Sequence, residues 1–119
     1  MIHRDTIFAV STGAGRAGIA VVRLSGPEVS TVLKALGGGL PQPRRASLRN
    51  IRARNGDLLD RAMVLLFPGP NSVTGEDVGE FHVHGSPAIV ERLLLELRSF
   101  QDCRLAEPGE FSRRAYQNE

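Results

Sequence analysis

Short apolar runs rich in β-branched residues, at Thr6–Ser11 and Ile19–Leu24, read as strands, the second as a central one. Pro27 fits the first position of a helix reaching about Leu36, where Gly37–Gly39 stop it. Ala46–Arg54 and Leu58–Phe67 form a predicted hairpin, because Asn55-Gly56 between them tolerates the positive φ of a tight turn. Pro68, Gly69, Pro70, Asn71, Ser72 and Gly75 make a loop. Val78–His84 is then a strand of two unlike faces. Alternation puts Glu80, His82 and His84 on one and Phe81 and Val83 on the other. Ile89, Val90, Leu93, Leu94, Leu97 and Phe100 recur at helical spacing over Pro87–Phe100, with Ser86 placed as N-cap and Arg92 and Glu96 placed to pair on the outer side. A short strand at Arg104–Ala106, a turn at Pro108-Gly109 and a helix through Arg113 and Ala115 complete the order β-β-α-β-β-β-α-β-α. That order predicts an α+β fold with a mixed or antiparallel sheet and its helices on one side.

Composition narrows the class. The 119 residues suffice for one core. No apolar run reaches the length of a membrane span and no signal peptide is visible. The one cysteine, Cys103, excludes an internal disulfide and fits a reducing, cytoplasmic setting. The net charge of +2 is too small to indicate a nucleic-acid partner. Arg44, Arg45, Arg49, Arg52 and Arg54 do cluster. They read either as a charged edge strand or as a phosphate-facing patch, and the lack of interleaved aromatics favours the edge.

Three groups of residues carry candidate chemistry. Gly13-Ala14-Gly15-Arg16-Ala17-Gly18 matches a dinucleotide fingerprint, but it leads into a strand where the fingerprint needs a helix, and no phosphate-loop lysine motif exists elsewhere. His82 and His84, with Glu80 and His3, have residue types that hold metals. The alternative is that His84 bonds the neighbouring loop, with Gly85 allowing a sharp exit. Arg23 interrupts an apolar strand. A guanidinium there must face solvent, a carboxylate or an anionic ligand, because burying it unpaired costs several kcal/mol.

The strings DTI (Asp5–Ile7), GRAGIAVVRLSG (Gly15–Gly26), FPGPNSVTGEDVGEFHVHG (Phe67–Gly85) and LAEPGEFSRRAYQNE (Leu105–Glu119) occur in this order. Together they resemble the N-terminal domain of the MnmE/TrmE family of tRNA-modification GTPases across nearly the whole chain. The PNSxTGED and PGEFxxRA strings are the specific ones. The chain departs from the family pattern at Gly13 and Ala14, at Ala17, at Ser86 and at Tyr116, and keeps every charged residue of the motifs.

The resemblance implies that residues 1–119 form a tetrahydrofolate-binding and dimerisation domain, similar in fold to the folate domain of aminomethyltransferases. It implies 5-formyl- or 5,10-methylene-tetrahydrofolate as ligand, Arg23 and Glu80 as the residues that bind it, and neither catalytic nor metal-ligating residues in this part. It also implies a further family lysine just past Glu119, and the chain reads as cut from a longer protein at a domain end. The parent is implied to be a GTP hydrolase, with GTP, Mg and K in a downstream domain and the family's C-terminal cysteine motif also downstream, so that Cys103 is not expected to be catalytic. It would act as a homodimer, without a membrane, alongside a flavin-dependent MnmG/GidA-type partner. Together they would install an aminomethyl-type group at the wobble uridine of tRNA. Glu110 and Arg113, inside PGEFSRR, are expected to pair structurally. A stand-alone folate-dependent aminomethyltransferase-like protein is the alternative, and a basic RNA-binding module without a small ligand is a third.

Overall fold

The computed structural model describes residues 3–11 and 18–119. The predicted turn at 13–18 lies, except for Gly18, outside them. The elements are β1 (Thr6–Val10), β2 (Ile19–Ser25), α1 (Val29–Leu36), β3 (Ser47–Arg52), β4 (Leu58–Phe67), β5 (Val78–His84), α2 (Pro87–Arg98), β6 (Cys103–Leu105) and α3 (Glu110–Gln117). The strands join one sheet in the order β3-β4-β5-β2-β1-β6. Every pairing is antiparallel except β1 with β6. The fold is therefore α+β with a mixed sheet. β5 and β6 run in the same direction, which is why a whole helix, α2, connects them.

One sheet face builds the core. Phe8, Ala20, Val22, Leu24, Val64, Phe81 and Val83 meet Val29, Val32, Leu33 and Leu36 of α1 and Leu93 and Leu97 of α2. Gly79 lets α1 approach. A Cβ there would lie 2.9 Å from Val29 Cγ1 and 3.2 Å from both Leu33 methyl groups. The third helix does not share this layer. It docks through Arg114 onto Asp5, Ser25 and Glu76, at the end of the sheet.

Three local expectations change. α1 starts at Val29, two residues after Pro27. Gly26 has φ 142°, a Cβ on it would lie 2.6 Å from Thr6 Cα, and the Glu28 N–H donates to Thr6 Oγ1 at 2.8 Å. Residues 26–28 are committed to crossing β1, and the helix waits until they have done so. Ser86 stands at the N-cap of α2 in extended conformation, but its side chain makes no capping bond. Arg92 and Glu96 do not pair with each other. Arg92 Nη2 donates to Asp57 Oδ2 at 3.2 Å, and Glu96 Oε1 accepts the Arg54 backbone N–H at 2.8 Å. The hairpin turn lies within reach of α2 and draws both side chains.

Candidate functional site

Arg23 and Glu80 are direct register partners across β2 and β5. Both point away from α1 and α2, because Val22, Leu24 and Phe81 occupy the helix-covered face. Arg23 Nε donates to Glu80 Oε2 at 2.9 Å, and Nη2 lies 2.8 Å from the same oxygen. His82 Nε2 sits 2.8 Å from the other oxygen, Oε1. The Glu80 side chain is 12% exposed and that of Arg23 33%. Burial by itself would raise the Glu80 pKa. Hydrogen bonds from His82 and Arg23, with the Arg23 charge, outweigh it and hold the carboxyl below its ordinary range. At neutral pH Glu80 is thus an ionised acceptor, fixed on a rigid strand.

The pair does not close into an apolar core. It lines a cavity of about 540 Å³ with Phe67, Val78, Arg44 and the loop residues Asn71 to Val73. That volume is in the usual range for a small-molecule site. The loop is a fixed wall. Thr74 is buried, and its Oγ1 lies 2.7 Å from Ser25 Oγ, which also donates to Glu76 Oε1 at 2.7 Å. Asp77 Oδ1 accepts the Gly69 N–H at 2.8 Å, and Asn118 Nδ2 donates to Thr74 O at 3.0 Å. The cavity therefore offers a carboxylate with cations beside it, one aromatic wall, and a loop held on both sides. This arrangement suits a flat ligand with an N–H edge.

Residues 6–119 match the family model described as GTP-binding protein TrmE N-terminus. The chain belongs to this family. It is 55% identical over 115 residues to the tRNA modification GTPase MnmE of Brucella anthropi, which covers 97% of this chain and 26% of that protein. It is 56% identical over 112 residues to the protein of the same name from Bartonella quintana, covering 94% and 26%. For Brucella canis the figures are 49% over 116 residues, 98% and 26%. The chain thus spans about a quarter of the length of these curated relatives.

In this TrmE N-terminal chain the histidines are dispersed. His82 serves Glu80, His84 Nδ1 lies 2.9 Å from Asp60 Oδ1 on β4, and His3 Nε2 lies 2.9 Å from Gln117 Oε1. The expected bond from His84 to a loop is a bond to a strand instead. Among the described residues no three His, Cys, Asp or Glu side chains group as metal ligands do. No described helix is long and apolar enough to cross a membrane. Cys103 is buried, and burial, with the negative charges of Glu28 and Asp102, pushes its thiol up to about 11.

The arginine cluster divides into separate structural tasks. Arg49 Nη1 donates to Gly37 O at the end of α1, Arg52 Nη1 to Gly56 O, and Arg54 stacks 3.9 Å from the Phe100 ring centroid. Only Arg44 reaches the cavity.

The PGEFSRR string builds an ion network that spacing alone does not reveal. Glu110 is paired chiefly by Arg104, whose Nη1 and Nη2 lie 2.8 and 2.6 Å from its two oxygens, whereas Arg113 stays 3.8 Å away. The Arg104 bonds lower the Glu110 pKa most, burial opposes them, and the Glu107 N–H and the Arg104 and Arg114 charges add to the lowering. The result is about 2, against an ordinary 4.5. A depressed folded pKa contributes stability that is complete above the unfolded value and lost as pH falls through the folded one. Between about pH 4.5 and 2, the melting temperature should fall more steeply for the native protein than for Glu110→Gln. Melts across that range read this directly, and parallel slopes would contradict it.

Proposed function

We propose that this chain is the tetrahydrofolate-binding and dimerisation part of a tRNA-modification GTPase. The observation that carries the reading is the Arg23–Glu80 pair, backed by His82, lining an accessible cavity beside Phe67. A pterin presents adjacent N–H donors to a carboxylate, and an ionised acceptor held by an arginine and a histidine meets them without moving. The ring lies against Phe67 and Val78. The folate, 5-formyl- or 5,10-methylene-tetrahydrofolate, supplies the one-carbon unit for an aminomethyl-type change at the wobble uridine. A flavoprotein partner takes part in that reaction, and GTP is hydrolysed by the remainder of the parent, with Mg and K. The names of the relatives support the GTPase and tRNA parts of this reading.

Titration calorimetry with 5-formyltetrahydrofolate tests the ligand. A saturable isotherm with one site per chain is expected. Heat of dilution alone, together with RNA binding that falls steeply with salt, would favour the RNA-binding module.

Dimerisation is supported by the second sheet face. Val21, Met63, Leu65 and His82 lie on it, opposite the face that α1 and α2 cover, and all four keep some exposure. Sedimentation equilibrium should show a monomer–dimer equilibrium. A strict monomer at all concentrations would assign dimerisation to other parts of the parent.

A further inference from the structure

We infer that Arg44 is a specificity-determining residue of the cavity, which selects ligands carrying an anionic end opposite the edge read by Glu80. The inference rests on the folate reading above and extends it.

Arg44 is an exposed residue in the linker between α1 and β3. Its backbone is nevertheless held in the left-handed region, with φ 64°. That conformation is uncommon for a residue with a long side chain and is maintained by surrounding contacts. Here the Arg44 N–H donates to Leu66 O at 2.8 Å, which ties the linker to the end of β4. The guanidinium then lies over the Phe67 ring, 6.0 Å from its centroid, and Nη2 donates to Asn71 O of the loop. The side chain is thus placed on the cavity rim by three separate contacts.

The electrostatics of the cavity are asymmetric. Arg23 is neutralised by Glu80. Arg44 pairs with no carboxylate among the described residues; its partners are a carbonyl oxygen and a ring face. These hold a guanidinium in place without cancelling its charge. The cavity therefore has one wall that accepts hydrogen bonds and another that carries an uncompensated planar cation. A ligand matching both has an N–H-rich ring at one end and a carboxylate at the other, with a flat body against Phe67. Reduced folate has this layout, since its aminobenzoylglutamate tail ends in carboxylates. An arginine fork is suited to that end.

The test is a two-by-two comparison by titration calorimetry. Native protein and Arg44→Gln are each titrated with 5-formyltetrahydrofolate and with its diamide, in which both tail carboxylates are neutral. Native protein should favour the dicarboxylate by about tenfold or more, the size of one charge-assisted bond. Arg44→Gln should lose that preference by weakening only the dicarboxylate, so the coupling isolates the contact from any effect on the loop. Arg44→Lys, which keeps the charge and loses the fork, should retain part of the preference. Equal binding of the two ligands by native protein, or a preference that survives in Arg44→Gln, would overturn the role of Arg44 while leaving the folate reading intact. Failure of native protein to bind either ligand would overturn the folate reading and this inference with it.

Discussion

Arg114→Met should lower unfolding free energy by about 3–5 kcal/mol, the range for removing one partner from a buried ion pair. That is a large part of the ~5–15 kcal/mol by which a domain is stable. The Arg114 side chain is fully buried. Nη2 donates to Asp5 Oδ1 at 2.7 Å, and Nη1 to Asp5 O at 2.9 Å and to Glu76 Oε1 at 3.1 Å. Glu110 Oε2 lies 3.4 Å from Nη2. Methionine would fill much of the space but leave Asp5, Glu76 and Glu110 without the cation between them. Since Glu76 is hydrogen-bonded to Ser25, and Ser25 to Thr74, the loss should spread into the loop that walls the cavity. Arg113 is the control. It is 53% exposed and its carboxylate neighbours are 3.8 Å away, so Arg113→Ala should stay within about 0.5 kcal/mol of native. Denaturant unfolding of both variants checks this. Two equal and small losses would show that the network is not what holds α3.

The contrast between Arg113 and Arg114 shows where a sequence stops being readable. Strand alternation placed Glu80 and His82 on one face correctly, because period two is a property of the backbone alone. The apolar spacing of α2 did the same for Leu93 and Leu97. The pairing of Arg23 with Glu80 follows once β2 and β5 are neighbours. Which of two adjacent arginines is buried depends instead on the docking angle of an eight-residue helix, and nothing local encodes it. Arg44 is similar. In a run of five arginines it has no distinguishing neighbour, and its role comes from a left-handed backbone and the position of Phe67, 23 residues on. The missed partners of Arg92 and Glu96 have the same origin, since helical spacing predicts pairs within a helix and cannot see a hairpin turn arriving beside it.

Arg23→Ala and Glu80→Ala should each weaken 5-formyltetrahydrofolate binding by about 1.5–3 kcal/mol, the value of a hydrogen bond to a charged group. That is roughly a tenfold to hundredfold loss. Glu80→Ala removes the acceptor itself and should fall at the upper end. Arg23→Ala leaves Glu80 with His82 as its one remaining side-chain partner. Both side chains lie on the sheet face that α1 and α2 leave open, so both variants should keep the fold. An alanine variant that unfolds would show that its residue serves the sheet and not a ligand. Unchanged affinity in both would remove them from the site.

A crystal structure of the chain with 5-formyltetrahydrofolate bound is the most direct test of the account. The pteridine should lie in the cavity beside Phe67, its N–H edge within hydrogen-bond distance of Glu80 and Arg23, its tail directed to Arg44. A folate bound elsewhere, such as the groove that Val73 and Tyr116 line, with the Arg23–Glu80–His82 group untouched, would contradict it.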